Sequence, residues 1–423
     1  MSTPSAVVYV DLDGVPHLVG RLWTVSGKNR ESATFEYDDA WLTSPVRFSL
    51  KPALALGPGP FYTGQDRALF GAVGDSAPDR WGRKLLGRAE RRRAAAEGRA
   101  PRQLREIDYL LGVTDLTRQG ALRFARTEGG PFVAEDPATR VPPLVDLPRL
   151  LAASRHVEAD EETDEDLRLL LAPGSSLGGA RPKASVRDVD GHLSIAKFPA
   201  KDDEINVVRW EAVALALAGR AGIPVPAWRL EHVAGQDVLI VRRFDRGSGA
   251  AGPRRVPFLS AMSMLGAADR ETHSYLEIAD ALRAHGAATA TDLADLWRRI
   301  VYGVLISNTD DHLRNHGFLY AGASGWRRAP AYDLNPVPAD VSGRMLSTTI
   351  GLDEDPTASL ALAREVAGEF GLKPKAAEAV IADVGRVVAS WRDEAARVGL
   401  GAAACERMAS AFEHEDLRDA AGA

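Results

Sequence analysis

An apolar helical run that closes at Val304-Leu305-Ile306 opens at once into Asn308-Thr-Asp-Asp-His-Leu-Arg-Asn315. Asn and Asp side chains bond to nearby backbone and favour turns, so the octet reads as a loop held at the end of a buried helix. Four residues separate Asp310 from Asn315. One rigid loop then carries an acid that can accept or orient a hydroxyl. It also carries an amide oxygen that can hold a divalent cation without adding charge. Asp333 follows eighteen residues after Asn315, in Pro330-Ala-Tyr-Asp-Leu334. Phe318–Tyr320 and Trp326–Arg328 are expected to pair as a hairpin around Gly322–Gly325, which would return Asp333 beside Asn315 as a second hard oxygen ligand. Taken alone, Asp310, Asp311 and Asp333 are equally ordinary solvated loop carboxylates.

The elements upstream weigh against that ordinary reading. Lys197 ends the strand-like run Leu193-Ser-Ile-Ala-Lys197, where apolar neighbours imply partial burial and an anionic partner. Glu211 lies fourteen residues later among Trp210, Val213 and Leu217 of a helix expected over Glu204–Ala221. Ahead of Lys197 stands Gly174-Ser-Ser-Leu-Gly-Gly-Ala-Arg-Pro-Lys183, whose glycines let backbone amides approach phosphate oxygens. It is not a Walker loop, because no Gly-Lys-Ser/Thr closes it. Val241–Asp245 falls where a chain would join two lobes, and its backbone could pair with adenine. A glycine-rich loop, strand Lys, helix Glu, connecting strand, Asp-x4-Asn and metal Asp is the order in which protein kinases carry their phosphoryl-transfer groups. Six elements in order over about 160 residues are far less probable by chance than any one of them.

The rest of the chain bounds the possibilities. Its 423 residues are 45% hydrophobic and 26% charged, enough for real cores and too apolar for a disordered chain. The N-terminal part reads as strands at Val7–Leu12, His17–Trp23, Phe35–Leu42 and Val46–Leu50. A helical, basic window follows, with ten Lys/Arg and three Asp/Glu in Ser76–Arg105. That window is either a solvated helix face or a surface for an acidic partner. Thr127–Pro143 reads as a linker, and Glu158–Asp166 holds seven acids in nine residues. Strands are expected at Ala184–Arg187, Leu193–Phe198, Trp228–Glu231 and Val238–Phe244. Helices are expected at Ser274–Ala284, Ala290–Ser307, Ser359–Phe370 and Pro374–Val398. The net charge of −6 argues against non-specific nucleic-acid binding by the whole chain. The single cysteine, Cys405, excludes an intrachain disulfide and suits a reducing, cytoplasmic setting. No apolar run approaches a membrane span, and no signal peptide is expected. Of nine histidines only His312 and His316 share a neighbourhood with carboxylates, and His312 reads as a hydrogen bonder within the loop.

Nearly the full length resembles the HipA family, the serine/threonine-kinase toxins of bacterial type II toxin–antitoxin pairs. The matching segments are Ser176–Lys183, Ile195-Ala-Lys197, Arg243-Phe-Asp-Arg246, Thr309–Asn315 and Tyr332-Asp333. Gly74-Asp-Ser-Ala-Pro-Asp-Arg-Trp-Gly82 looks like the family's N-terminal module. The resemblance implies an α+β, two-lobed protein-kinase-like fold. Its parts would be an N-terminal β-rich subdomain over 1–126, a linker and connecting helix over 127–169, an N-lobe over 170–246, and a helical C-lobe over 247–423.

It implies ATP and Mg²⁺, with Asp310 as the catalytic acid/base residue and Asn315 and Asp333 on the metal. The nucleotide-binding set would be Gly178, Gly179, Ala180, Arg181, Lys183, Lys197 fixed by Glu211, Arg242, Arg243 and Phe244 through backbone, His312 and Asn315. Ser176 matches the family's autophosphorylated serine, although Ser175 beside it could take the phosphate instead. Phosphate there adds about −1.5 to −2 charge and would expel the loop from ATP. A HipB-like helix-turn-helix antitoxin is implied, with DNA met only through that complex, together with a protein substrate such as a translation component. Three departures stand out. Asp311 replaces a Gly found in some members and would add a carboxylate near the metal. Arg181-Pro182 replaces a Gln-Glu-like pair, and Arg242 an acidic hinge residue. Two rivals share parts of the pattern: a small-molecule kinase of the aminoglycoside-phosphotransferase kind, and a non-catalytic antitoxin-binding co-repressor.

Overall fold

A computed structural model describes residues 5–27, 30–64, 67–134, 141–171, 179–249, 252–268, 271–352 and 355–422. Antiparallel sheets and helices both build the chain, and after Ser260 it is helical apart from one hairpin, an α+β arrangement. The chain groups into two compact units, 1–202 with 232–259 and 203–231 with 260–423.

In the first unit, five antiparallel strands lie in the order Pro60–Tyr62, Glu31–Tyr37, Val15–Ser26, Ala6–Leu12 and Leu122–Ala125. The third of the expected strands ends early. Asp38 caps a short helix, Asp39–Thr43, by accepting from the Ala40 amide, and this breaks the run expected over Phe35–Leu42. Val46–Leu50 forms no strand.

A second sheet pairs Lys183–Arg187 with Leu193–Lys197, and the latter with Gln236–Arg242, all antiparallel. Side chains alternate across a strand. Ala184, Val186, Ala196, Val238 and Ile240 therefore share a buried core with Leu85, Leu150, Leu151, Val157 and Leu170. Those partners come from the helices Arg80–Ala96, Leu147–Ala159 and Asp164–Leu171. The other face carries Lys183 directly opposite Lys197.

The basic window and the acidic run are partners. Arg88 donates to Glu162 at 2.7 Å and to Asp160, and Arg92 reaches Asp164 and the Glu162 carbonyl. Arg83 meets Glu106 at 2.7 Å, and Arg99 meets Glu90 at 2.6 Å. Much of the local positive charge is thus neutralised within the fold.

A buried ionic cluster ties the first sheet to the stretch after Arg242. Asp245 accepts from Arg243 Nε at 2.8 Å, from Arg246 Nη1 at 2.8 Å and from the Gly120 amide at 2.8 Å. Burial alone would raise the Asp245 pKa, but Arg243 and Arg246 outweigh it and hold the carboxyl well below the usual range. Asp115 behaves in the same way between Arg255 and Arg123.

The second unit is mainly helical. Asn206 caps Val207–Arg220 through the Arg209 amide, so that helix starts three residues later than expected. The helix expected over Pro374–Val398 is two, Pro374–Val388 and Trp391–Arg397. At the break Ser390 Oγ donates to the Val387 carbonyl at 2.7 Å, competing with the helical ladder. Ala402–Phe412 and Glu415–Ala421 follow. Trp391 stacks on Phe412 with centroids 4.6 Å apart, and Trp210 packs against both. Gly385 allows the closest helix approach: a Cβ there would lie 2.7 Å from the Ala420 backbone.

Candidate active site

Thr289–Leu305 ends in the loop that the sequence singles out. Ser307 turns the chain at φ 51°, and its hydroxyl donates to the Ala411 carbonyl at 2.8 Å. The Asn308 amide bonds back to Gly303. Thr309 is held from outside the loop, its carbonyl accepting from the Ser347 amide and hydroxyl. Asp310 is exposed, and its backbone carbonyl accepts from Asn315 Nδ2 at 2.9 Å. That bond closes the loop across the four-residue gap and fixes the Asn315 side chain. The other end of that amide is unusual. Asn315 Oδ1 is buried and accepts no hydrogen bond among the described residues. A buried acceptor without a donor is costly unless something else faces it.

The hairpin forms as expected. Phe318 pairs with Arg328 and Tyr320 with Trp326, and Gly325 closes the turn at φ 110°. The returning chain is stitched to the loop on both sides of Asp333. Tyr332 Oη donates to the Arg314 carbonyl at 2.7 Å, and the Asn335 amide donates to Asn308 Oδ1 at 3.0 Å. Asp333 sits between these bonds at φ 58°, a left-handed conformation that a non-glycine residue keeps only where surroundings impose it. Asp333 is close enough to act on Asp310. Partial burial pushes the Asp310 carboxyl upward, His312 opposes, and the charges of Asp333 and Asp311 push it up further.

Asp311 departs from expectation. It supplies no carboxylate toward a metal: it is 2% exposed and fully engaged. Oδ1 accepts from Arg299 Nη2 at 2.7 Å, and Oδ2 from Tyr275 Oη at 2.8 Å and from His316 Nε2 at 2.9 Å. A carboxylate can only accept, so His316 presents Nε2–H. Burial, reinforced by Arg299, lowers the His316 pKa to about 4 against the opposing charge of Asp311, which keeps the ring neutral. Burial alone would raise the Asp311 pKa, but Arg299 and His316 bring it far down. Arg299 and Tyr275 were not legible as site residues, and His316 was legible only as a histidine near carboxylates. The one available signal is Arg299, a charge on the buried stripe of Leu296, Trp297 and Ile300, which demands a counter-charge.

The remaining expected residues lie as follows. Glu211 is buried in the helix Val207–Arg220, and Lys197 is half-buried at the end of its strand. Gly179 and Ala180 are exposed and Arg181 is half-buried. Lys183 is buried, with its ammonium on Asp79 at 2.9 Å. Arg242 is half-exposed, near Asp190. Arg243 is 3% exposed, and its guanidinium is spent on Asp245 and on the carbonyls of Thr117 and Arg118. Its amide donates to the Leu193 carbonyl at 3.0 Å. Phe244 rests against Phe258. His312 is half-buried, with Nδ1 enclosed and unbonded. Ser175, Ser176 and Gly178 lie outside the described residues.

The donors fit a hard cation. Asn315 Oδ1 and the Asp333 carboxylate are hard oxygen donors, the kind that Mg²⁺ takes in ones or twos together with phosphate oxygens and water. Among the described residues no cluster of three or more His, Cys, Asp or Glu suits a metal. Among the same residues no helix is long and apolar enough to cross a membrane.

Comparison with known proteins gives the family. A Haemophilus influenzae protein named "Putative kinase" is 26% identical over 209 residues, 44% of this chain and 61% of that protein, so the match spans less than two thirds of its length. "Putative kinase Y4mE" of Sinorhizobium fredii is 26% identical over 341 residues, 74% of each chain. A chain of the solved Shewanella oneidensis MR-1 HipA, HipB and operator DNA complex shares the fold at TM-score 0.66 and 17% identity, over 98% of this chain and 96% of that one. The model of the HipA-like C-terminal domain matches residues 175–391, which span the glycine-rich stretch, the Asp310 loop and Asp333. The chain is accordingly a member of the HipA-like C-terminal domain family.

Proposed function

We propose that the protein is an ATP-dependent serine/threonine protein kinase, the toxin of a HipBA-like toxin–antitoxin module. The observation that carries this reading is the loop pair itself. Asn315 Nδ2 is tied to the Asp310 carbonyl while its buried Oδ1 has no donor among the described residues, and Asp333, at φ 58°, is flanked by the bonds of Tyr332 and Asn335 to the same loop.

Asp310 orients the acceptor hydroxyl and takes its proton as the bond to phosphorus forms. Asn315 and Asp333 would hold Mg²⁺, which when bound would neutralise charge on the phosphates. Lys197 neutralises phosphate charge, and Glu211 is the counter-ion that the family resemblance assigns to it. The backbone of Gly179 to Lys183 and that of Arg242–Phe244 hold the rest of the nucleotide. Catalysis is then positioning and electrostatic stabilisation, with little covalent work for the protein.

Autophosphorylation at Ser176 or Ser175 would inactivate the enzyme by setting like charge against ATP. A HipB-like helix-turn-helix antitoxin is the partner, supported by the fold shared with a chain of the HipA–HipB–DNA complex. DNA is met through that partner, the substrate is a cytoplasmic protein, and a translation component is the first class to test. The test is transfer of ³²P from γ-labelled ATP by the purified chain. Wild type labels itself or an acceptor protein, and Asp310→Ala does not. Equal labelling by Asp310→Ala would defeat the assignment, and labelling of aminoglycosides or sugars alone would favour a small-molecule kinase.

A further inference from the structure

The motif Gly74–Gly82 has no task in the nucleotide reading, yet it grips the end of the glycine-rich stretch. Asp79 uses both carboxylate oxygens. Oδ1 caps the helix Arg80–Ala96 by accepting from the Gly82 amide at 2.8 Å, and Oδ2 accepts from Lys183 Nζ at 2.9 Å. The two side chains are 8% and 5% exposed. Two residues on, Trp81 Nε1 donates to the Lys183 carbonyl at 3.0 Å. The Lys183 ammonium also reaches the carbonyl of Gly179 at 3.4 Å, where the chain passes through φ 86°. Side chain and backbone of one strand residue are thus held by two residues 104 and 102 positions earlier.

Lys183 stands directly opposite Lys197 in the strand register. Like charges at such a position repel, so each ammonium needs its own counter-ion. Asp79 supplies it for Lys183, which keeps that charge away from its neighbour. A buried lysine committed to a buried aspartate is poorly placed to follow a phosphate, because separation would strand both charges. Its value lies in the backbone it fixes.

We infer that Asp79 and Trp81 are positioning residues for nucleotide binding, clamping residues 179–183 so that the N-terminal module sets the affinity for MgATP. This rests on the nucleotide-binding reading above. A second clamp of the same module, the Gly120 amide and Thr117 and Arg118 carbonyls on Asp245 and Arg243, acts at the far side of the same sheet.

The test is titration of MgATP into the full chain, with steady-state kinetics and thermal melting alongside, for wild type, Asp79→Asn and Trp81→Phe. Asn keeps a cap acceptor and loses the charge; Phe keeps the packing and loses one donor. Both variants should raise Kd and KM for ATP by about ten- to a hundredfold, the scale of loss when binding groups are displaced by an ångström. The value of kcat at saturating ATP and KM for the acceptor should hold, a split that general destabilisation would not give. If Asp79→Asn fails to fold, Trp81→Phe carries the test alone. Folded variants that bind MgATP as wild type does would overturn the inference. A wild-type chain that binds no MgATP would instead bring down the nucleotide reading, and this inference with it.

Discussion

Arg299 Nη2 donates to Asp311 Oδ1 at 2.7 Å and to the Asn315 carbonyl at 3.0 Å, both inside the protein. One guanidinium therefore braces both ends of the segment Asp311–Asn315, which directly follows Asp310. Adjacent aspartates divide the labour: Asp311 is buried structure and Asp310 faces outward.

That division separates two substitutions of the same chemistry. Asp311→Asn leaves Arg299 short of a counter-charge and should cost about 3–5 kcal/mol of stability, the range for breaking a buried pair. Asp310→Asn, at an exposed position, should change stability by no more than about 0.5 kcal/mol while phosphoryl transfer disappears. Urea denaturation and ³²P transfer on both variants check this. Equal stability losses would remove the distinction.

His414 gives the second unit a pH dependence. Its ring Nε2–H donates to the Leu305 carbonyl, and Nδ1 accepts from the Leu417 amide. Burial, then the nearby Arg344, lower its pKa from 6.5 to about 4, with Asp416 opposing. The folded protein keeps the ring neutral, and the unfolded chain takes up a proton as pH falls below about 6.5. Stability from this group is therefore full above pH 6.5 and is lost progressively down to about pH 4, by at most about 3 kcal/mol. His414→Asn can keep the helix cap and should flatten that part of the stability–pH curve relative to wild type. Identical slopes would show that His414 does not titrate as described.

Gly385→Ala offers a test by sign. In an open helix, replacing Gly by Ala stabilises by about 1 kcal/mol. Here the new methyl would lie 2.7 Å from Ala420 backbone atoms. Overpacking of that kind costs about 1–3 kcal/mol, so the melting temperature should fall. A rise would mean that Glu415–Ala421 yields freely.

The loop from Asp310 to Asn315 and the hairpin that returns the chain to Asp333 were legible because their signals are local: a fixed spacing, and turn residues that announce the hairpin. The strands at Lys183–Arg187 and Leu193–Lys197 were legible from alternation around Gly191. What remained hidden depends on long-range pairing. Nothing in Asp310-Asp311 tells which carboxylate is buried until Arg299 and Tyr275 arrive from other helices. The Arg-rich window and the acidic run looked like separate surfaces until Arg88 met Glu162, 74 residues away. Asp79 and Lys183 are further apart still. The break at Ala389–Ser390 lies in a sequence apolar enough to continue, and a single hydroxyl ends it.

The central claim is that Asn315 and Asp333 form, with a nucleotide, one cation site beside Asp310. Electron paramagnetic resonance of Mn²⁺, used in place of Mg²⁺, reads this directly. Wild type should bind one Mn²⁺ per chain only when ATP is present, and Asn315→Ala and Asp333→Asn should each abolish that signal while the chain stays folded. Nucleotide-dependent Mn²⁺ binding that persists in both variants would contradict the account.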